Sequence, residues 1–352
     1  GHGIVLRAGV GTPEELSIHL EQVDRGPNYR WGNGGRGGSG VIYFFGGGKV
    51  WTGHEMEDTG DHDTGDVEAT TNFGVMKDGS YRCIGRNVLK QPLIDLGVAQ
   101  FAEVTARKGE SAYSWPDYRS RSIMLVGTDY FLIYDECGTI GRNNARFSWF
   151  IPRDGTFPKI AFLKPKRTRA GHWREVRTRM AKGFQRDAEG SHLTFVTHKK
   201  QDVNLLGMKT QDIPFLSFTP VKRYRRQDDL PDGVYRVKTP DSVDTFFRHE
   251  NAISYAGETD TFTGTAGVIR HPEAGGVKMA VFHEGRVASG GASAEVLVDD
   301  VGVSMVRETE RKGFSGVVYA ENGGTVEFDF AGLDGSFYLD GAPFEVNPAE
   351  GG

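Results

Sequence analysis

The chain has 352 residues, a formal net charge of -5, 38% hydrophobic residues and 25% charged residues, which is the balance of a globular protein. It contains no run of about 18 apolar residues, so the sequence predicts no transmembrane helix and no membrane partner. The negative net charge and the lack of a recognition motif argue against nucleic acid as a partner.

The first predicted element lies at residues 12–23, where the sequence TPEELSIHLEQV opens with a Thr-Pro-Glu-Glu helix-start signal. From Leu16 to Glu21, however, apolar and polar residues alternate, and this period of two is typical of a strand. We therefore expect a short turn and then a strand. The 49 glycines of the chain also disfavour helices, since each interior glycine costs about 1 kcal/mol relative to alanine.

Further strand patterns follow along the chain, many of them separated by glycine-containing turns such as Asp78-Gly79 and Gly127-Thr128-Asp129. They fall at residues 41–45, 73–76, 122–126, 130–134, 146–151, 173–179, 193–197, 215–219, 261–269 and 277–282. Short strands without intervening helices predict an all-β fold. We expect a large antiparallel β-sandwich of two-layered sheets over residues 1–286, followed by a smaller β domain over residues 287–352.

An acidic run at residues 55–68 is the first candidate site. Asp61, Asp63 and Asp66 lie on a glycine-bearing stretch, and carboxylate oxygens on a flexible turn are ligands that Ca²⁺ prefers. The sequence therefore indicates a candidate loop that binds a divalent cation, with calcium as the cofactor. The alternative is a solvated acidic loop without a metal.

Two histidines, His54 and His62, belong to the same glycine-rich region. An imidazole titrates near neutral pH, so either is a candidate general base or metal ligand. The alternative is that both are ordinary loop histidines. Upstream, Tyr29, Arg30, Trp31 and Arg36 lie in another glycine-rich stretch and are candidates for binding a polymer.

Two basic clusters occur later, at residues 164–174 and 222–226. Guanidinium groups bind carboxylate or sulfate, and Trp173 and Tyr224 are positioned in sequence to stack on sugar rings. The clusters therefore favour an anionic polysaccharide as ligand. The alternative is that they are solubilising turns.

Four stretches carry a more specific pattern. They are residues 4–9 followed by TPEELSIHLE, residues 38–43 with 48–50, residues 71–75 with 78–79, and the arginine-rich 118–126 followed by DYFLIYD at 129–135. Together they resemble the C-terminal β-sheet region of the heparinase II/III-like polysaccharide lyases, over about residues 4–285. The last stretch is the most specific of the four.

This resemblance implies a secreted or periplasmic bacterial protein that cleaves an acidic, uronate-containing polysaccharide by β-elimination. It also implies that an N-terminal helical toroid of the same precursor is the missing partner. We therefore expect this chain to be part of a longer precursor and to be inactive alone. His54 or His62 would then transfer the proton, and Tyr29, Arg30, Trp31 and Arg36 would bind the polymer.

The sequence also departs from the family pattern at two places. The family's His-x-His-x-Asp motif corresponds here to residues 31–37, which read WGNGGRG, and the histidine of its His-Asn strand corresponds to Thr71. The alternative function is therefore a non-catalytic carbohydrate-binding or structural β module.

Overall fold

A computed structural model of the chain describes residues 3–21, 40–53, 71, 73–77, 80–83, 87–106, 118–137, 145–163, 173–177, 181–188, 190–212, 222–309, 313–330, 337–339 and 342–344. These residues form β-strands, turns and bends, with no helix among them. The described part of the chain accordingly contains no helix with the length and apolar character needed to cross a membrane.

The strands are numbered in chain order. The first ten are β1 (Gly3–Ala8), β2 (Leu16–Glu21), β3 (Ile42–Gly46), β4 (Lys49–Val50), β5 (Phe73–Lys77), β6 (Ser80–Cys83), β7 (Asn87–Asp95), β8 (Ala99–Ala106), β9 (Tyr118–Val126) and β10 (Tyr130–Cys137). The next nine are β11 (Ala145–Pro152), β12 (Lys159–Leu163), β13 (Trp173–Arg177), β14 (Ala181–Ala188), β15 (His192–Thr197), β16 (Asn204–Leu205), β17 (Met208–Asp212), β18 (Lys222–Arg226) and β19 (Val234–Lys238). The last nine are β20 (Ser242–Ala256), β21 (Thr261–Pro272), β22 (Val277–Ser289), β23 (Ala292–Val296), β24 (Val301–Arg307), β25 (Val318–Ala320), β26 (Val326–Phe330), β27 (Phe337–Leu339) and β28 (Ala342–Phe344).

These strands form four main sheets and two separate hairpins. The N-terminal sheet has the order β1-β2-β3-β4, the central sheet β12-β15-β10-β9-β8-β7, and the outer sheet β13-β14-β11-β5-β6. The large sheet has the order β16-β19-β20-β21-β22-β23-β26, with β24 beside β22 and β25 beside β24, while β17-β18 and β27-β28 are the hairpins. Neighbouring strands run antiparallel, so the predicted all-β antiparallel fold is confirmed.

The central sheet is buried on both faces, which adds a third layer to the predicted two-layered sandwich. Phe131 and Ile133 of β10 pack with the N-terminal and outer sheets. Tyr130, Leu132 and Tyr134 alternate with them and pack with the large sheet. Because successive side chains of a strand point to opposite faces, a strand between two layers is a continuous apolar run, which is the pattern of YFLIY.

The predicted turn and strand at the N-terminus are confirmed. Thr12 N donates to Gly9 O (3.0 Å) and Glu15 N donates to Thr12 O (3.1 Å), which closes a turn before β2. Within β2, Leu16, Ile18 and Leu20 are fully buried. The alternation therefore outweighs the helix-start signal. In a strand these three apolar side chains share one buried face, whereas in a helix they would point in different directions.

The predicted hairpin at Gly127 joins β9 and β10 and fastens the central sheet to the large sheet. Gly127 has a φ of 51°, a left-handed conformation that glycine adopts without strain. Asp129, the last residue of the turn, accepts from Arg270 Nη2 of β21 at 2.6 Å and from Lys199 Nζ at 3.1 Å. Through the buried Asp129, the turn thus connects two layers by ion pairs as well as through the apolar core.

The predicted boundary between residues 286 and 287 falls within β22, which pairs with β21, β23 and β24. The division of the chain into domains of 1–286 and 287–352 stays a prediction.

Candidate functional site

The site residues named from the sequence lie in two segments outside the described residues. Residues 22–39 carry four of them and residues 54–70 carry five. They are Tyr29, Arg30, Trp31 and Arg36 in the first segment and His54, Asp61, His62, Asp63 and Asp66 in the second. Their roles stay predictions. The described residues that flank the two segments, however, have defined contacts.

These flanking residues lie close together. Segment 22–39 leaves from Glu21, whose neighbour Leu20 pairs with Ile42 of β3, and returns at Gly40. Segment 54–70 leaves from Gly53 and returns at Thr71, and Ile42 N donates to Thr71 O at 3.0 Å. Both segments therefore begin and end around the start of β3.

Phe150 of β11 holds both ends of segment 54–70. Gly53 N donates to Phe150 O at 2.8 Å, and Phe150 N donates to Thr71 Oγ1 at 2.9 Å. Thr71 Oγ1 in turn donates to Phe150 O at 3.2 Å. Thr71 is buried, and its hydroxyl both donates to and accepts from one residue. At this position the structure thus has an anchoring group rather than a proton-transfer group.

A buried ion pair supports the end of segment 22–39. Arg121 Nε lies 2.6 Å from Asp135 Oδ1 and Arg121 Nη2 lies 3.0 Å from Asp135 Oδ2. Arg121 Nη1 also donates to Gly40 O, and Gly40 has a φ of 81°, which suits glycine. Burial raises the pKa of the Asp135 carboxyl, and the charge and hydrogen bonds of Arg121 oppose that rise. The pair fixes the point at which the chain enters β3.

The face of β11 and β14 that points away from the core carries polar side chains. Phe147 and Trp149 point into the core, so the residues that alternate with them lie on the opposite face of the sheet, where they are also buried. Across the two strands, Arg146 is opposite Asp187 and Ser148 is opposite Gln185. We call these four residues the polar face. Arg146 Nε donates to Asp187 Oδ1 at 2.7 Å, and the face lies on the same strand as Phe150, next to the ends of segment 54–70.

The side chains of Ser148 and Gln185 are buried and have no hydrogen-bond partner among the described residues. Ser148 is 0% exposed and Gln185 is 1% exposed. Neither the Ser148 hydroxyl nor the two amide atoms of Gln185 has a hydrogen-bond partner among the described residues. An unsatisfied buried polar group costs about 1–3 kcal/mol, and such groups often mark functional positions. The polar face therefore contains hydrogen-bonding groups that no described residue satisfies.

The aromatic and basic clusters predicted from the sequence have different environments. Trp173 packs against Phe162 and Phe184, with ring centres 5.2 and 5.6 Å apart, so it belongs to the edge of the core. Residues 164–172 lie outside the described residues. The cluster at 222–226 forms β18, which pairs with β17. Sequence reasoning did not identify Ser148 or Gln185, since neither belongs to a charged or aromatic cluster.

A metal site is not formed by the part of the chain that the structure describes, because no three His, Cys, Asp or Glu side chains there are grouped to hold an ion. The predicted ligands Asp61, Asp63 and Asp66 lie outside that part.

No protein-family model and no curated protein matches the sequence. Among solved structures, the chain is similar to a heparan sulfate lyase, HepC, from Pedobacter heparinus, with 13% identity and a TM-score of 0.42 over 68% of this chain and 39% of that chain. It is also similar to a heparinase III gene product with methylated lysines (13% identity, TM-score 0.40, 69% and 39% of the two chains). A further heparinase III structure gives 10% identity and a TM-score of 0.34, over 68% and 39% of the two chains. This chain thus spans about two fifths of the length of the heparinase-type lyases that are its structural neighbours.

Proposed function

We propose that the chain is the β-sheet portion of a polysaccharide lyase that cleaves an acidic, uronate-containing polysaccharide by β-elimination. The motif resemblance of the sequence supports the reaction class. The observation that carries the proposal is that the described residues flanking both predicted site segments meet around the start of β3, beside a polar face whose Ser148 and Gln185 side chains have no partner among the described residues. Residues far apart in sequence would thereby act at one place.

The reaction requires two proton transfers. A base removes the proton from the carbon next to the uronate carboxylate, the carbon–oxygen bond at the neighbouring carbon breaks, and a double bond forms between the two carbons. An acid protonates the departing oxygen, so that charge and atoms balance. In this proposal His54 or His62 serves as base or acid, because an imidazole exchanges protons near neutral pH.

Binding of the polymer is assigned to residues of both segments and of the polar face. Arg30 and Arg36 would pair with uronate carboxylates, since a guanidinium matches the two carboxylate oxygens. Tyr29 and Trp31 would lie against sugar rings. We further propose, from the family resemblance, a helical toroid of the same precursor as the opposite wall, and a secreted or periplasmic location.

A second candidate function is binding without cleavage, and Thr71 favours it. Its hydroxyl is engaged in both directions with Phe150, at the position where the family has a histidine. A lyase lacking that histidine needs another proton carrier. If His54 and His62 do not supply one, the chain binds the polysaccharide and leaves it intact.

The experiment measures eliminative cleavage and binding on the same samples. The full-length precursor is incubated with uronate polymers, and the ultraviolet absorbance of the unsaturated product is followed beside the binding affinity. We expect absorbance to rise, and H54A or H62A to abolish the rise while binding persists. H249A, on β20, is the matched control and should cleave normally. Binding without any absorbance rise would support the second candidate, and neither binding nor cleavage would refute both.

A further inference from the structure

A second feature of the molecule is a cavity of about 610 Å³ at the edge of the central sheet. Its walls come from the turn after β11, from β12 and β14, from the segment that follows β15, and from the β17-β18 hairpin. These elements are distant in sequence, and of the clusters predicted above only residues 222–226 contribute to the lining, through Lys222 and Tyr224. The cavity is separate from the polar face, and its lining indicates what it can bind.

The lining is strongly cationic. It includes four lysines, Lys159, Lys182, Lys200 and Lys222, and no described lining residue is Asp or Glu. Like charges this close repel each other in the empty state. An arrangement of several ammonium groups around a half-open cavity therefore favours a negatively charged occupant.

Lys159 contributes positive charge to the cavity, because none of the groups that accept its hydrogen bonds carries a negative charge. Its Nζ donates to Lys200 O at 3.1 Å, to Val203 O at 2.7 Å and to Asn204 Oδ1 at 2.6 Å. An ammonium has three donors, so all three are used, and all three acceptors are uncharged. Burial lowers the pKa of Lys159, and the charge of Lys222 lowers it further. An anion in the cavity would relieve both effects.

Lys200 connects the cavity to the candidate site. Its Nζ lies 5.5 Å from the centre of the Trp51 ring, a cation–π distance, and Trp51 precedes segment 54–70 by three residues. Burial lowers the pKa of Lys200, and the charge of Lys49 adds to this effect. Lys200 thus places the cavity next to Trp51, which leads toward that segment.

Tyr224 gives the cavity an aromatic wall. Burial raises the pKa of Tyr224 to about 12, so its phenol stays neutral and keeps its hydrogen-bond donor. An aromatic ring beside ammonium groups suits a sugar that carries a carboxylate or a sulfate, because the ring packs on the sugar and the ammonium groups bind the oxyanion.

We propose that this cavity is an anion-binding subsite that holds one acidic sugar of the bound polymer, away from the bond that is cleaved. The inference rests on the proposed function for the identity of the polymer. Lys182 and Lys200 are the residues that would contact the oxyanion, while Lys159 contributes charge at a distance because its donors are used. The subsite would therefore govern affinity and leave the chemical step unchanged.

The test compares two double variants that remove the same charge. Lys182→Gln/Lys200→Gln alters the cavity, whereas Lys278→Gln/Arg286→Gln alters two exposed residues of β22. Binding of a short oligouronate, a sulfated dextran, a neutral dextran and inorganic sulfate is measured by calorimetry on the full chain. We expect the cavity variant to bind an acidic oligosaccharide roughly tenfold more weakly than the unchanged protein, in line with the loss of one or two charged hydrogen bonds. The control variant should bind within twofold of the unchanged protein. The affinity of the unchanged protein should also fall with added salt more steeply than that of the cavity variant.

Further variants keep the outcome decisive. Lys182→Arg/Lys200→Arg retains the charge and should retain affinity. If the double glutamine variant does not fold, as judged by its melting curve, Lys182→Gln alone should still weaken binding measurably. Equal affinities of the cavity and control variants would overturn the proposal, and so would inorganic sulfate or neutral dextran binding as tightly as the acidic oligosaccharides.

The measurements of binding and cleavage distinguish failure of the subsite proposal from failure of the lyase proposal. Loss of binding in the cavity variant without cleavage by any sample would sustain the subsite and refute the lyase. Cleavage of the polymer together with unchanged affinity in the cavity variant would support the lyase proposal and refute the subsite.

Discussion

Arg121 and Asp135 face each other across β9 and β10 and form a bidentate ion pair that is wholly buried. Both belong to the arginine-rich and DYFLIYD stretches that give the sequence its most specific family resemblance. The other acid of that motif, Asp129, binds Arg270 and Lys199. The acids at both ends of the motif thus hold layers and loops in place, and the motif specifies architecture.

The first prediction concerns this pair. Asp135→Asn leaves the Arg121 guanidinium buried beside a neutral group, and breaking a buried ion pair in this way costs about 3–5 kcal/mol. Urea denaturation followed by tryptophan fluorescence measures the change in the free energy of unfolding. Arg119→Gln is the control, because Arg119 is exposed in its pair with Glu136 and exposed pairs contribute little. Equal small effects of both substitutions would show that the buried pair does not hold the sheet together.

The second prediction separates binding from stability at the polar face. Ser148→Ala and Gln185→Met remove groups that lack partners among the described residues, so the melting temperature should stay unchanged or rise. Affinity for the polymer should fall if these groups bind it.

Thr194→Val provides the comparison, since Thr194 is another buried hydroxyl without a hydrogen-bond partner among the described residues. It should tolerate the change equally well and leave the affinity for the polymer intact. A marked loss of stability in Ser148→Ala would mean that the hydroxyl is structural.

The third prediction is a pH dependence at His271 and Asp260. His271 Nε2 lies 2.8 Å from Asp260 Oδ2. The hydrogen bond that His271 Nε2 donates to the Asp260 carboxylate raises the pKa of His271 despite partial burial. Burial alone would raise the pKa of Asp260, but hydrogen bonds from His271 and Ser289 lower it overall.

The signs of the two shifts define a pH window. The stabilisation from His271 is complete below its unfolded pKa, about 6.5, and disappears as pH rises through the higher folded value. The stabilisation from Asp260 is present above its unfolded pKa, about 3.9, and disappears as pH falls through the lower folded value. The melting temperature of His271→Gln, compared with the unchanged protein, should differ most near pH 5 and least near pH 8. A difference that does not vary with pH would contradict the ion pair.

The fourth prediction concerns the acidic run. We propose that Asp61, Asp63 and Asp66 bind calcium, in which case millimolar calcium added after chelation should raise the melting temperature, because a ligand that binds only the folded state stabilises it. Asp61→Asn/Asp63→Asn should remove the shift. Magnesium should act more weakly, since it demands a stricter geometry than calcium. If calcium leaves the melting curve of the unchanged protein where it was, the run is a solvated loop.

Local patterns were enough to predict several of the strands and the hairpin at Gly127. Alternation identified β2, the run YFLIY identified β10, and Gly127 identified the turn between β9 and β10. The third layer was not predicted, because burial on the second face of β10 depends on the large sheet, whose strands lie from residue 204 onward. Pairing of β11 with β5 likewise depends on tertiary packing that no local pattern encodes.

The candidate sites were predictable only where residues cluster in the sequence. Lys222 and Tyr224 belong to a recognisable basic cluster and do line the cavity. Lys159, Lys182 and Lys200 are each unremarkable in sequence, and only the fold brings them together. Ser148 and Gln185 gave no signal for the same reason, since a buried polar group is informative only once its lack of partners is known.

The most direct test of the lyase proposal is mass spectrometry of the oligosaccharides released when the full-length precursor acts on a uronate polymer. β-Elimination forms a double bond at the new non-reducing end, so every product except the one that keeps the original non-reducing end should be lighter by one water than the corresponding hydrolysis product. We expect these lighter products from the unchanged precursor, and their absence from samples of H54A or H62A. Cleavage that gives products of hydrolytic mass alone, or an uncleaved polymer that nevertheless binds, would contradict the assignment of this chain to a lyase.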